Sequence, residues 1–152
     1  MRLIVGSTGA TDAVFLVDGN RAMDLSKIHP EIGRDLMGLI EAPEVTKKMA
    51  EKGLTERTVS IDDIRPSLPV ARPPKIICLG LNYVDHVKEG GYDIPEYPAL
   101  FMRALTSMIP AGAPMVRPSC SERLDYEAEL MVIMGKGGRH IGEAAALDHV
   151  FG

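Results

Sequence analysis

The run Asp125-Tyr126-Glu127-Ala128-Glu129-Leu130-Met131-Val132 sets three carboxylates at alternate positions. Side chains on an extended backbone alternate faces with period two, so Asp125, Glu127 and Glu129 share one side while Tyr126, Ala128, Leu130 and Val132 take the other. Like charges that close repel, and burial adds to the cost. A hard divalent cation relieves both effects. Mg²⁺ takes oxygen ligands at about 2.1 Å, and carboxylates two residues apart, roughly 6–7 Å along a strand, can converge on it. On that reading Glu127 and Glu129 point into one cavity. The plainer alternative is an antiparallel strand whose acids face water. A second cluster runs from Asn82 to Glu89. If it is helical, His86 and Glu89 sit at i and i+3 and can touch. A carboxylate beside an imidazole orients it and raises its basicity, which prepares a general base. The alternative there is a surface helix with an incidental ion pair. Arg103 could grip a substrate carboxylate or serve as a surface charge.

Other candidates carry less. Gly135-Lys136-Gly137-Gly138-Arg139-His140 lacks the full phosphate-loop pattern and reads as a turn. His29, His140 and His149 have no ligand spacing and are expected in solvent. Met102, Met108, Met115, Met131 and Met134 read as core fillers. Cys78 and Cys120 match no zinc or redox spacing and read as buried free thiols of a reducing compartment.

The elements that position these residues follow from local pattern. Leu3 to Gly6 and Ala13 to Val17 are strand candidates, joined to a third (Arg21 to Leu25) through the hairpin residues Asp18-Gly19-Asn20. Pro30 suits the first turn of a helix, and Ile32, Leu36, Leu39 and Ile40 form one apolar face after it. Pro43 opens a second helix and Gly53 closes it. Thr58 to Ile61 is a return strand. Four prolines between Arg65 and Pro74 exclude a helix and mark a boundary, so a small α+β domain spans 1–70 and a second domain begins at 71. Beyond it, Lys75 to Leu79, Ala99 to Arg103 and Met115-Val116 are strand candidates. Gly90-Gly91 marks a mobile loop, and Pro110-Ala111-Gly112 a turn. Tyr126 to Met134 reads as the clearest strand of all, and Glu143 to Val150, rich in Ala and Leu, as a helix.

Composition bounds the function. The 152 residues carry a formal charge of −4, with 45% apolar and 25% charged residues. These are ordinary values for a soluble globular protein. No basic block suggests nucleic acid, and no apolar stretch approaches the roughly 20 residues that span a bilayer. The expected compartment is the cytoplasm.

Taken together, the segments resemble the fumarylacetoacetate hydrolase family. The resemblance rests on Pro74-Lys75-Ile76-Ile77-Cys78-Leu79-Gly80-Leu81-Asn82-Tyr83, then His86-x-x-Glu89, Pro98-x-Leu100-Phe101, and Leu124-Asp125-Tyr126-Glu127-x-Glu129-Leu130. It covers residues 74 to 152, while 1–70 is similar to the small leading domain of many bacterial members. It implies an α+β fold: the small leading domain, then the first half of a mixed, rolled β-sheet domain spanning 71–152. It implies Mg²⁺ or Mn²⁺ held by Glu127 and Glu129, and a catalytic His86/Glu89 pair on a lid. Tyr83 and Arg103 match substrate-binding positions, Arg103 standing where many members have Lys. The family's third metal ligand is an Asp downstream of the helix. Asp148 does not match it, so the metal site is expected to be incomplete within residues 1–152. Asp125 is expected beside the ligands rather than among them.

The implied reaction is hydrolysis of a C–C bond in an acylpyruvate-like 2-oxo acid, as in aromatic-compound degradation, by an enzyme that is a homodimer when complete. The same apparatus serves isomerisation, hydration and decarboxylation of related oxo acids. A different class stays open: a non-catalytic half-protein that acts only by association with another chain.

Overall fold

A computed structural model describes residues 1–54 and 57–152. The architecture is α+β. Strands β1 (Arg2–Ser7), β2 (Ala13–Asp18) and β3 (Arg21–Asp24) form an antiparallel meander. The β2–β3 turn is the expected one: Asp18 faces Arg21 across a two-residue loop whose first member, Gly19, has φ +55°. Strands β4 (Thr58–Ser60) and β5 (Arg65–Pro66) complete a sheet of order β4-β3-β2-β1-β5. Pro66 lies on an edge, where a missing N–H removes no interior ladder bond.

The middle strand explains its own composition. All of Ala13–Val17 is buried because both sheet faces are covered. Val14 and Leu16 point to one cluster with Val5, Met23, Leu25, Ile32, Leu36, Leu39 and Met49. Ala13, Phe15 and Val17 point to another with Ala22 and Ile64. The helical layer over the first cluster is more broken than its apolar spacing suggests. A single 3₁₀ turn, Pro30–Ile32, ends at Gly33 with φ +77°, and helix α1 (Met37–Glu41) begins afterwards. Ile32, Leu36 and Leu39 are buried all the same. Helix α2 runs Pro43–Lys52, and Gly53, at φ +64°, donates its N–H to the Met49 carbonyl at 3.2 Å.

The chain divides into two compact units, Met1–Val70 with Pro110–Gly152, and Ala71–Ile109. The second unit holds β6 (Ile77–Gly80) and β7 (Ala99–Met102), paired antiparallel, and helix α3 (Val84–Glu89). In the first unit, Gly112 (φ +80°) completes the turn in which the Ala113 amide bonds to the Pro110 carbonyl at 3.1 Å.

Several expectations fail beyond that turn. Met115-Val116 and Tyr126–Met134 are not strands; Met134 alone forms an isolated bridge, with Val150. Alternation dictates which faces side chains take, but a strand also needs a hydrogen-bonding neighbour, and no strand among the described residues lies alongside. The Ala-rich segment Glu143–His149 is a 3₁₀ helix, with i→i−3 bonds such as Val150 N–H to Leu147 O at 3.1 Å. That coil rises about 2.0 Å per residue and spans more distance than an α-helix would. Met102, Met115, Met131 and Met134 are exposed rather than core, because no second layer covers them among the described residues. Cys120 is also exposed, and Cys78 half-buried. Among the described residues, no helix is long and apolar enough to cross a membrane.

Candidate functional site

In the unit Ala71–Ile109, strand β6 ends at Gly80 and the chain reverses through Leu81, whose φ of +54° is uncommon for a branched side chain. Asn82 and Tyr83 follow, both exposed. Tyr83 is the N-cap of α3, and its carbonyl accepts from the Val87 amide at 3.0 Å. Val87, 1% exposed, is the residue that seats the helix. His86 and Glu89 lie on the exposed surface of α3 at i and i+3, one turn apart. Gly91 caps the helix: at φ +68° its N–H donates to Lys88 O at 3.1 Å, and the Tyr92 N–H reaches back to Val87 O at 3.0 Å. This is the Schellman arrangement, which satisfies carbonyls the helix end leaves over. Gly90-Gly91, read from sequence as a loop mark, therefore has a defined capping role.

Arg103 is placed elsewhere on the same unit. Its amide donates to Ile76 O at 3.1 Å, beside the Ile77↔Met102 pair. The Asn82–Tyr83 turn leaves from the opposite end, beside Gly80↔Ala99. Three residue steps of about 3.3 Å separate the two ends of that ladder. The backbone thus does not bring Arg103 and Tyr83 together.

Glu127 and Glu129 lie in the other unit, on the segment between Leu124 and Met134. Both are exposed, as are their neighbours Tyr126 (80%) and Leu130 (82%). Exposed carboxylates two residues apart are hard oxygen donors and suit Mg²⁺ or Mn²⁺ as two ligands of an octahedral set. Among the described residues, no group of three or more His, Cys, Asp or Glu side chains is placed to hold a metal. Asp125 turns back on the chain, its Oδ1 accepting from the Tyr126 amide at 2.8 Å. The expectation that Glu127 and Glu129 face one cavity is not met. A cavity of about 330 Å³ does exist in this unit, lined by Leu39, Thr46, Lys136, His149 and Phe151 among others, but neither glutamate reaches it.

His149 is the residue whose surroundings the sequence did not foretell. Expected in solvent, it is 8% exposed, and its Nδ1 lies 2.9 Å from the carbonyl oxygen of Lys136. Ring burial here depends on a loop thirteen residues earlier in the chain, which spacing alone does not reveal.

The sequence pattern of the fumarylacetoacetate (FAA) hydrolase C-terminal family matches residues 75–152. A mitochondrial oxaloacetate tautomerase of Xenopus laevis is 34% identical over 139 residues, covering 90% of this chain and 44% of that protein. A human mitochondrial oxaloacetate tautomerase is 31% identical over 137 residues, with 89% and 44% covered. Among solved structures, an HpcE protein from Mycobacterium smegmatis superposes with a TM-score of 0.68 at 28% identity, over 99% of this chain and 52% of the other. The chain thus spans less than half the length of these curated relatives.

Proposed function

The chain belongs to the fumarylacetoacetate hydrolase family, and from that premise we propose that its residues serve a divalent-metal-dependent enzyme that moves a proton on a small 2-oxo acid. The observation that carries this reading is the exposed, alternating pair Glu127 and Glu129 on a segment that the family pattern matches. Glu127 and Glu129 would hold Mg²⁺ or Mn²⁺. Bound there, the ion would supply Lewis-acid charge for an oxygen on which negative charge develops. His86 would take or return the proton, with Glu89 one turn away to orient the ring. Tyr83 and Arg103 would contact the substrate, Arg103 through its cation.

Two reactions share this apparatus. Keto–enol tautomerisation needs only the proton transfer, and the oxaloacetate tautomerases among the relatives favour it. C–C bond hydrolysis of an acylpyruvate needs an attacking water as well, and the family's name favours that. The test is to follow loss of the enol band of oxaloacetate and of an acylpyruvate, with and without Mg²⁺ or Mn²⁺. Metal-dependent ketonisation of oxaloacetate without C–C cleavage supports the tautomerase reading, and metal-dependent cleavage the hydrolase reading. His86→Ala should slow turnover about 100-fold or more while leaving Mn²⁺ uptake unchanged. An equal loss of Mn²⁺ uptake would make His86 a ligand, and no metal-dependent turnover of either substrate would overturn the proposal.

A further inference from the structure

Resting on the reading of Glu127 and Glu129 as metal ligands, we propose that His149 is a positioning residue: its Nδ1–H fastens the far end of the carboxylate-bearing segment to the core of the first unit. A carbonyl oxygen only accepts, so the 2.9 Å contact with Lys136 O requires the proton on Nδ1. The His149 carbonyl answers in the other direction, accepting from the amides of Gly135 at 2.8 Å and Lys136 at 3.2 Å. Three hydrogen bonds thus join one residue to a two-residue stretch. The neighbouring backbone continues the clasp. Met134 bridges Val150, the Ile133 amide donates to Gly152 O at 2.7 Å, and the Phe151 amide donates to Ile133 O at 2.8 Å. Ile133 and Phe151 both pack against the cluster containing Val5, Leu16 and Leu39.

The loop is built to admit the ring. A Cβ at Gly138 would stand 2.9 Å from His149 Cε1 and 2.7 Å from Ile141 Cδ1, so a larger residue there would force the imidazole or the Ile141 side chain to shift. Glu129 lies only a few residues before the first clasped position, Ile133. Two carboxylates share an ion more tightly when the backbone between them is already ordered, since ordering residues at the moment of binding takes free energy from the binding itself. The backbone bonds of the clasp are available to any residue. The Nδ1–H bond is available only to a side chain that donates from that position.

The experiment uses the full chain as wild type, His149→Phe and His149→Asn, with amide hydrogen exchange and Mn²⁺ titration as readouts. Phe keeps the bulk and loses the donor, whereas Asn keeps an N–H near the Nδ1 position. We expect His149→Phe to speed exchange at residues 127–136 about tenfold, the equivalent of one lost hydrogen bond. The amides of β1–β3 should stay within about twofold, and Mn²⁺ affinity should fall about tenfold alongside. His149→Asn should restore both. Unchanged exchange in His149→Phe, or equal behaviour of the Phe and Asn variants, would overturn the proposal, because ring volume and not the donor would then matter. If His149→Phe loses protection in β1–β3 as well, Gly138→Ala replaces it, crowding the ring while leaving its chemistry intact; the same regional exchange pattern is then expected, and its absence overturns the role. Failure of the wild type to take up Mn²⁺ speaks against the metal reading, while the exchange pattern decides the positioning role separately.

Discussion

Phe151 and Ile133 are joined by a 2.8 Å backbone hydrogen bond, and both side chains rest on the core of the five-stranded sheet. Residues from the matched family region therefore use the leading sheet as their foundation. Phe151 is only half-buried, so truncation should cost less than for a fully buried ring. Phe151→Ala is expected to destabilise the first unit by about 2 kcal/mol, below the roughly 3–5 typical of a core Phe. Urea unfolding followed by circular dichroism measures it, and a change under about 0.5 kcal/mol would mean that the ring is not seated in solution.

If Glu127 is a ligand as proposed, removing its charge should differ sharply from removing one nearby. Glu127→Gln keeps the shape, loses an anionic oxygen donor, and is expected to weaken Mn²⁺ binding about tenfold or more. Glu122→Gln, on the same stretch of chain, should change affinity less than about threefold, since only screened long-range attraction is lost. Calorimetric titration of both variants checks this. Equal effects would point to diffuse attraction and not coordination.

The cap on α3 gives a third expectation. Gly91 sits at φ +68° with open space where a methyl group would stand, so Gly91→Ala meets no clash and bears only the cost of the left-handed backbone. That cost is about 1 kcal/mol. A six-residue helix has little intrinsic stability, so the effect should appear locally, as faster amide exchange across residues 84–92. Unchanged exchange would show that the cap does not hold the helix that carries His86 and Glu89.

What could be read from the sequence was what is local. Asp18-Gly19-Asn20 specifies its hairpin, and Pro43 and Gly53 bracket α2, because each acts through its own backbone dihedrals. Glu127 and Glu129, read as facing one cavity from a strand, are instead exposed on a segment that is not a strand. What could not be read depends on distant partners. The alternation of Tyr126–Met134 names no neighbouring strand, and the burial of His149 goes with a glycine-containing loop that lies earlier in the chain. Nor does the sequence show that antiparallel pairing sets Arg103 at the end of β6–β7 away from Tyr83.

Acid should reveal one further side chain. Glu31 is held below its ordinary value near 4.5, chiefly by a hydrogen bond to its own backbone, then by the side chain of His29, whose Nδ1 is 3.0 Å away. A depressed carboxylate contributes stability that is present above about pH 4.5 and lost as pH falls through the lower folded value. Glu31→Gln should therefore lose a little stability at neutral pH, match the wild type at the acid end, and so flatten the acid limb below pH 4.5. Thermal melts from about pH 3 to 7 test it, and parallel acid limbs for the two proteins would exclude a contribution from Glu31.

The last expectation concerns the small sheet. Ile77 pairs with Met102 and Leu79 with Leu100, so all four side chains share one face of β6–β7, and they are 56%, 65%, 40% and 66% exposed. A two-stranded sheet is marginal in water without something covering it. Burying a large apolar side chain yields about 1.5–3 kcal/mol, so covering the remaining exposed half of these four gives on the order of 3–6. Two copies meeting face to face would gain twice that, about 6–12 kcal/mol, against an association cost of at least about 4. The difference is at most about 2–8 kcal/mol, which corresponds to a Kd no tighter than roughly 1 μM. The chain should therefore self-associate weakly, with a Kd above roughly 1 μM, and Leu100→Lys with Met102→Lys should shift the midpoint at least about tenfold towards monomer, since two ammonium groups from each copy would oppose contact. Light scattering across a concentration series reads this directly. A wild-type chain that stays monomeric at about 1 mM would overturn this expectation, the association cost then outweighing the burial of this face.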